Sequence, residues 1–281
     1  MTLGRDEIDR LVDRALAEDM GAGDVTSAAV IPEDAWLSAV AAAREPLVLA
    51  GIEAAEAVFR RLAPDCRIDA RAADGDALAA GDVVAGIEGP ARGLLSAERT
   101  ALNLLQHLSG IATLTRRFVE AIAGTGAVLL DTRKTIPGLR AFAKYATAVG
   151  GAQNHRMGLY DGVLIKDNHI AVCGGIAQAV AKARAFTDLP VEVECDRIDQ
   201  VRDAVGAGAD MILLDNMDTG TLRRAVELVA GRAKLEASGG VTLETVRGIA
   251  ETGVDFISVG RITQSAAAVD IGLDYIGSPR I

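Results

Sequence analysis

The sequence feature that most constrains the fold is a serial alternation of short apolar segments and helical stretches from residue 127 onward. The apolar segments end in polar or glycine residues and lie at 127–131, 162–166, 191–194, 211–215, 235–239 and 256–260. Strands that alternate with helices predict a parallel sheet. Six or seven such units predict an incomplete α/β barrel of the TIM type. A doubly wound sheet is the alternative, but no GxGxxG motif follows a strand, so a dinucleotide crevice is not supported.

The first third of the chain has a different pattern. Residues 5–18 have the periodicity of an amphipathic helix, and short apolar runs broken by Gly, Pro and Asp over 37–88 predict a small sheet with a helix near 52–62. A long helix is predicted to begin with Ser96 as its N-cap and to end at Gly124. The sequence therefore predicts two domains, with a boundary near residue 110.

Composition excludes several classes of protein. The formal net charge is −10 and only five Phe, one Trp and three Tyr are present, so binding to nucleic acid or to an anionic membrane surface is not expected. No apolar run reaches the roughly 18 residues of a membrane helix, and the charged N-terminus does not resemble a secretory signal. The three cysteines lack CxxC spacing and predict reduced thiols in a cytoplasmic protein.

Positive charge is concentrated in one window. Residues 131–166 contain six Lys or Arg and two Asp, which gives a net charge of +4 against −14 for the rest of the chain. A positive island in an acidic protein predicts a site for a small anionic ligand.

The residues at the predicted strand ends indicate the kind of ligand. Sites of α/β barrels lie at the carboxyl ends of the strands. Cations suit carboxylates or pyrophosphate, paired carboxylates suit Mg²⁺ or sugar hydroxyls, and glycines before a helix suit a phosphate. The strand-end residues are Arg133, Lys134, Lys166, Glu194, Asp215, Gly239, Gly240 and Gly260. They predict a phosphorylated sugar, Mg²⁺ and an acidic co-substrate.

Each of these features also has a purely structural interpretation. Strand-end carboxylates can cap helices or pair with Lys, Ser238-Gly-Gly240 can be a plain turn, and an isolated His such as His155 is usually structural. A strand-end lysine such as Lys166 can also form a Schiff base, but no apolar pocket for that chemistry is indicated.

Several motifs together are specific enough to suggest a family. The chain resembles the quinolinate phosphoribosyltransferases, also called nicotinate-nucleotide pyrophosphorylases (carboxylating), over almost its whole length. The strongest motifs are DTRKTIPGLR at 131–140, GGAQNHR at 150–156, LIKDNH at 164–169, VEVE at 191–194 and EASGG at 236–240. The resemblance implies an N-terminal α/β sandwich domain over 1–110, an open, incomplete TIM-like α/β barrel over 111–269, and a tail at 270–281 that packs back on the first domain.

The same resemblance implies an enzyme of NAD biosynthesis. It would transfer a phosphoribosyl group from phosphoribosyl pyrophosphate to quinolinate and release pyrophosphate and carbon dioxide, yielding nicotinate mononucleotide with Mg²⁺ as cofactor. The family works as a homodimer or a hexamer of dimers, in which Arg99 reaches the site of the neighbouring subunit.

The resemblance also implies roles for individual residues. Arg133, His155, Arg156 and Lys166, with Arg99 from the partner subunit, would clamp the two carboxylates of quinolinate. Lys134 would lie between the acid and the pyrophosphate, and Glu194 and Asp215 would hold the ribose hydroxyls or the metal. The residues that would bind the 5′-phosphate are Ser238, Gly239, Gly240 and Gly260. The residues implied in catalysis are Lys134, Lys166, Glu194 and Asp215.

One segment departs from the family pattern. The family commonly has Gly-Ala-Leu-Thr-His-Ser where this chain has Gly260-Arg-Ile-Thr-Gln-Ser265, so Arg261 and Gln264 predict altered phosphate contacts.

The alternative functions are those of a related phosphoribosyltransferase of molybdenum-transport operons, a nicotinate phosphoribosyltransferase that does not decarboxylate, and a catalytically silent ligand-binding paralogue. The intact cations and carboxylates favour the quinolinate enzyme over all three.

Overall fold

The computed structural model describes residues 2–277, and residues 278–281 of the predicted tail lie outside it. The helices are α1 Arg5–Met20, α2 Val25–Val30, α3 Ile52–Leu62, α4 Ala91–Ala121, α5 Arg140–Gly150, α6 Asp167–Cys173, α7 Ile176–Phe186, α8 Ile198–Gly206, α9 Thr219–Val229, α10 Val246–Ala250 and α11 Arg261–Gln264. The strands are β1 Trp36–Ala43, β2 Leu47–Val48, β3 Arg67–Ala70, β4 Ala77–Leu78, β5 Val83–Pro90, β6 Val128–Leu130, β7 Val163–Ile165, β8 Val191–Cys195, β9 Met211–Asp215, β10 Lys234–Ser238, β11 Phe256–Ser258 and β12 Ile271–Gly277.

The contacts within the chain divide it into two units. The first unit takes the chain as far as Leu114, then Ala141–Gly150, and then the chain from Ala266 onward; the second takes Thr115–Arg140 and Gly151–Ser265. The boundary predicted near residue 110 falls inside α4. The structure also differs from the ranges predicted by sequence at α5, because nearly all of this helix groups with the first unit. Its buried apolar side chains, such as Phe142 and Ala146, belong to the first unit's core.

The first unit is built on an antiparallel four-stranded sheet in the order β12-β1-β5-β3, with β2 and β4 as a separate pair. Small side chains in β1, whose sequence is WLSAVAAA, allow helices to pack closely on the sheet. Buried apolar residues of α1, α3 and α4 form one core with the sheet, including Ile8, Val58 and Leu94. Gly110 of α4 permits a close crossing, because a Cβ there would collide with the carbonyl of Ala267.

The predicted start of the long helix was wrong. α4 begins at Ala91, immediately after β5 ends at Pro90. The first N–H groups of a helix have no acceptor within the helix, and the N–H of Ala91 donates to the carbonyl of Ala35 at 2.8 Å instead. Ser96 lies within the first turns and does not cap the helix. Its hydroxyl is 2.8 Å from the carbonyl of Arg92 and 2.9 Å from Oδ2 of Asp24, which is the back-bonding usual for a serine inside a helix.

The second unit contains the predicted barrel. Its six strands are in the order β6-β11-β10-β9-β8-β7, and every pairing is parallel. Beyond β6 the sheet is continued only by an isolated bridge between Leu130 and Gln153. Within residues 2–277 no ladder joins β6 to β7, so the barrel is open, which confirms the predicted fold class.

The alternation of side chains along a strand places the site. In each strand, residues two apart point to the same face. In β8 this aligns Glu192 with Glu194, and in β10 it aligns Glu236 with Ser238. The barrel interior therefore has a polar layer at the strand tips and a second layer one step deeper. None of the helices in the described residues is both long enough and apolar enough to span a lipid bilayer.

Candidate active site

A cleft of about 360 Å³ lies at the carboxyl ends of the barrel strands. Its lining comes entirely from the second unit. The lining residues are Thr132, Arg133, Lys134, His155, Arg156, Leu164, Lys166, Glu194, Leu213, Asp215, Glu236, Ser238, Gly239, Gly240, Val241, Ser258, Val259, Gly260, Arg261 and Gln264. The structure thus brings together all the predicted site residues except Arg99, which is an exposed residue of α4 in the first unit.

The loop after β6 carries two of the cations. Its backbone is fixed by the Thr263 hydroxyl, which donates to the carbonyl of Lys134 at 2.7 Å, and by the N–H of Lys134, which donates to the Thr132 hydroxyl at 3.0 Å. The Nε of Arg133 is buried and has no hydrogen-bond acceptor in the described part of the chain. A buried guanidinium donor without an acceptor favours an anionic ligand.

Arg156 adds a second guanidinium near the first. Burial and the neighbouring charge of Arg133 both lower its pKa. Its Nη1 donates to the carbonyl of Gly162 at 3.2 Å, which holds the side chain in place. Two guanidinium groups that repel each other in a partly buried site are stabilised when an anion binds between them.

Lys166 and Glu194 form an ion pair across the tips of β7 and β8. The Nζ of Lys166 is 2.6 Å from Oε2 of Glu194, and the two side chains are 46% and 20% exposed. An ion pair this accessible contributes little to stability, so its charges remain available to a ligand. Asp215 follows at the tip of β9, where its Oδ2 accepts from Nδ2 of Asn216 at 2.7 Å.

His155 lies between two buried carboxylates of the deeper layer. Its Nε2 is 3.2 Å from Oε2 of Glu192 and 3.2 Å from Oε2 of Glu236. Burial opposes a charge on the ring, but hydrogen bonding to these carboxylates raises the pKa of His155 to about 10. The N–H of Arg156, 2.8 Å from Nδ1, opposes protonation of that nitrogen. Two carboxylates outweigh one neutral amide, so His155 is a cation at neutral pH.

Glycines shape the opposite part of the cleft. Gly239 and Gly240 follow β10 with φ angles of +93° and +61°, which side chains with a Cβ rarely adopt. A Cβ on Gly239 would also collide with the side chain of Asn216. Gly260, two residues after the end of β11, and the exposed Arg261 also line the cleft. Backbone that can approach a ligand closely, next to a cation, suits a phosphate.

Sequence reasoning missed the deeper layer. Glu192 and Glu236 are 6% and 0% exposed, and neither was predicted as a site residue. The signal was present, because Glu192 precedes Glu194 by two residues and Glu236 precedes Ser238 by two. Residues two apart on a strand point to the same face, so the residue two positions before each predicted strand-end residue could have been identified as part of the site.

Two groups of side chains have the ligand atoms that a metal needs. His155, Glu192 and Glu236 each offer one atom within 4.8 Å of the others, and here the ring of His155 already contacts both carboxylates. Glu194 and Asp215 offer only oxygen ligands from the adjacent strands β8 and β9. Magnesium prefers oxygen and is commonly held by one or two carboxylates together with substrate oxygens, so this second pair fits that ion.

Comparison with known proteins gives consistent results. The chain matches the family profiles described as quinolinate phosphoribosyl transferase, N-terminal domain, over residues 24–109, and quinolinate phosphoribosyl transferase, C-terminal domain, over residues 111–274. It is 43% identical over 270 residues to the probable nicotinate-nucleotide pyrophosphorylase [carboxylating] of Bacillus subtilis, covering 95% of this chain and 93% of the relative. For the corresponding Mycobacterium leprae protein the identity is 44% over 268 residues, with coverage of 93% and 94%.

Solved structures give the same result. The nicotinate-nucleotide pyrophosphorylase of Francisella tularensis superimposes with a TM-score of 0.94 at 41% identity, covering 98% of both chains.

Proposed function

Because the chain belongs to the quinolinate phosphoribosyltransferase family, we propose that its strand-tip cleft carries out the reaction of that family. The chain is an enzyme that transfers a phosphoribosyl group from phosphoribosyl pyrophosphate to quinolinate, with loss of carbon dioxide. The products are nicotinate mononucleotide, pyrophosphate and carbon dioxide, and the reaction belongs to NAD biosynthesis.

The observation that carries this assignment is the set of cations in one cleft. Arg133, His155, Arg156 and Lys166 come from three separate segments and all line it. Quinolinate is a planar dianion with adjacent carboxylates, and guanidinium forks bind such groups through two parallel hydrogen bonds. Each guanidinium fork can bind one carboxylate, so the two guanidinium groups in this cleft favour a diacid over a monoacid.

The remaining cleft residues suit the phosphoribosyl donor. Glu194 and Asp215 would accept hydrogen bonds from ribose hydroxyls and hold Mg²⁺, and Ser238 with the glycines Gly239, Gly240 and Gly260 would bind the 5′-phosphate. Lys134 would lie between quinolinate and the pyrophosphate and would contact the pyrophosphate. When bound, Mg²⁺ supplies positive charge that stabilises the departing pyrophosphate.

The chemistry then follows from position and charge. Pyrophosphate leaves the anomeric carbon, which becomes cationic and is stabilised by the carboxylates of Glu194 and Asp215. The pyridine nitrogen attacks this carbon and becomes positively charged. The bond from ring carbon C2 to its carboxylate then breaks, carbon dioxide leaves, and the electron pair stays at C2 beside the cationic nitrogen until a proton adds. No covalent enzyme intermediate is needed, and positioning supplies much of the rate enhancement.

The first test is a product assay with quinolinate, phosphoribosyl pyrophosphate and Mg²⁺ that follows carbon dioxide and nicotinate mononucleotide together. A parallel reaction replaces quinolinate with nicotinate. We expect equal amounts of both products from quinolinate and little product from nicotinate. Binding of quinolinate without product would indicate a silent paralogue or a different co-substrate and would refute the proposal, as would efficient use of nicotinate.

We also propose that the enzyme is a homodimer or a hexamer of dimers in which Arg99 completes the neighbour's site. The support is that Arg99 is exposed on α4 and is not among the residues that line the cleft. Two inactive variants, Arg99→Ala and Lys166→Met, should regain part of the activity when their subunits are mixed, because a mixed dimer contains one intact site. Sedimentation that shows only monomer, or a mixture with no recovery, would contradict a shared site.

A cytoplasmic location is part of the same proposal. It is supported by the three cysteines, which are all free thiols in the structure, as is usual for proteins of reducing compartments.

A further inference from the structure

We propose that Asp131 and Asn154 form a positioning pair that sets the quinolinate end of the cleft. The inference rests on the function proposed above. Neither residue lines the cleft, so the pair acts through its neighbours. Asp131 lies just before the loop that carries Arg133 and Lys134, and Asn154 directly precedes His155 and Arg156.

The carboxylate of Asp131 joins these two cation-bearing segments. Asp131 follows the apolar run of β6 and is fully buried. Its Oδ2 accepts from Nδ2 of Asn154 at 2.7 Å, and its Oδ1 accepts from the backbone N–H of His155 at 2.8 Å. Buried hydrogen bonds to an ionised acceptor are short and strong, so both segments are restrained at one point.

The backbone contributes only a single bridge to this restraint. The second segment is held to β6 by a single bridge, in which Gln153 donates to the carbonyl of Leu129 at 2.9 Å and accepts from the N–H of Asp131 at 3.2 Å. All the other barrel strands pair over at least two consecutive residues. The Asp131 carboxylate thus strengthens the weakest pairing of the sheet, next to the site.

The charges at this edge make a restraint necessary. Arg133 and Arg156 repel each other, and this repulsion contributes to the lowered pKa of Arg156. Without ligand, the repulsion favours separation of the two segments. A fixed link between them keeps the guanidinium groups at the spacing that a planar diacid requires, so less order has to be imposed when the ligand binds.

The test exchanges the two side chains. Asp131→Asn removes the negative charge but leaves an amide that can still pair with a turned Asn154, whereas Asn154→Asp places two carboxylates together. Asn154→Asp should raise the KM for quinolinate about 10- to 100-fold, the range by which loss of outer-shell partners lowers metal affinity or activity at metal sites, and Asp131→Asn should raise it by less. The KM for phosphoribosyl pyrophosphate should change by no more than about twofold.

The double variant Asp131→Asn/Asn154→Asp reverses donor and acceptor at similar volume. The new amide at position 131 would then donate to the new carboxylate at position 154, and its carbonyl oxygen would still accept from the N–H of His155. The double variant should therefore recover most of the lost affinity for quinolinate. The recovery shows that the bond between positions 131 and 154 is responsible, and the selective change in the KM for quinolinate is the readout that a merely structural role of Asp131 would not produce.

Asp255→Asn is the matched control. Asp255 precedes β11 at the opposite, amino-terminal end of the strands, and its Oδ2 accepts from the backbone N–H of Leu235 at 2.9 Å. This variant should lower thermal stability and leave both KM values unchanged.

Quinolinate binding is measured by calorimetry beside turnover, and folding by circular dichroism. Equal effects of the single variants on both substrates, or no recovery in the double variant, would overturn the pairing. Failure of the wild-type protein to form product would refute the proposed function instead, and calorimetry would still report on the pair.

Discussion

The two units of this chain use their buried positions differently. In the first unit the interior is a large apolar cluster drawn from helices and an antiparallel sheet, and Lys144 of α5 is its single buried charged side chain among the described residues. In the second unit the buried side chains include Asp131, Glu192 and Glu236, and among residues 2–277 every buried carboxylate belongs to this unit. Burying a carboxylate costs free energy unless it is hydrogen-bonded or paired. The comparison teaches that the first unit's interior serves stability, whereas the second unit gives up part of its stability to keep charges where the ligand binds.

The largest effect should come from removing a charge of the second unit. Lys166→Met should reduce kcat/KM for quinolinate on the order of 10³-fold, or about 4 kcal/mol, as expected for the loss of one preorganised electrostatic contact. The melting temperature should change little, because the ion pair with Glu194 is accessible to water. Steady-state kinetics and thermal unfolding measure the two effects. Lys182→Met on α7 is the control and should keep normal activity. A large loss of thermal stability in Lys166→Met would contradict the proposed difference between the two units.

The reverse result is expected in the first unit. Leu94 is fully buried, and Leu94→Ala should lower the free energy of unfolding by about 3 to 5 kcal/mol through lost burial and a residual cavity. The KM values of the remaining folded enzyme should be unchanged. Val30→Ala, at a residue 67% exposed, is the control and should be nearly neutral in urea denaturation. A raised KM in Leu94→Ala would show that the first unit also shapes the site.

The buried charges of the second unit predict a dependence on pH. The carboxylates raise the pKa of His155 to about 10 from about 6.5 in the unfolded chain. The folded state therefore binds the proton more tightly, and the stabilisation is complete below about pH 6.5 and is lost as the pH rises through about 10. Burial raises the pKa of Glu192, which acts with the same sign. Denaturant unfolding of the wild type and His155→Gln from pH 6 to 10 should give free energies that converge at high pH; a constant difference would contradict the assigned charge.

The smallest effect should come from the edge of the cleft. Arg261 lines it but is exposed, and exposed charges contribute about 0.2 to 1 kcal/mol. Arg261→Ala should raise the KM for phosphoribosyl pyrophosphate by a few-fold, more at low than at high salt, and leave the KM for quinolinate unchanged. Arg247→Ala, which removes a surface pair with Glu251, is the control. If Arg261→Ala changed only the KM for quinolinate, Arg261 would lie at the quinolinate end of the cleft and this prediction would be wrong.

The sequence predicts the barrel and most of its cleft because both depend on local patterns. Strand ends such as Lys166, Glu194 and Asp215 follow apolar runs, and the carboxyl ends of parallel strands meet at one edge of a sheet. Features that depend on packing were not predicted. Asp131 and Glu236 act from buried positions. Ser96 lies inside a helix because α4 follows β5 without an intervening loop. Such outcomes depend on neighbours distant in sequence, which no single-residue pattern encodes.

The pairing of β12 with β1 has a consequence for biosynthesis. Ile271 lies opposite Ala43 in this ladder, so the first sheet lacks its edge strand until residues 271–277 have left the ribosome. Synthesis proceeds at roughly 5 to 20 residues per second, which leaves the outer edge of β1 open for some tens of seconds. An open strand edge is a template for mispairing. The nascent chain is therefore expected to depend on a chaperone during this interval, and truncation before Ile271 should yield aggregates even though every cleft residue is present.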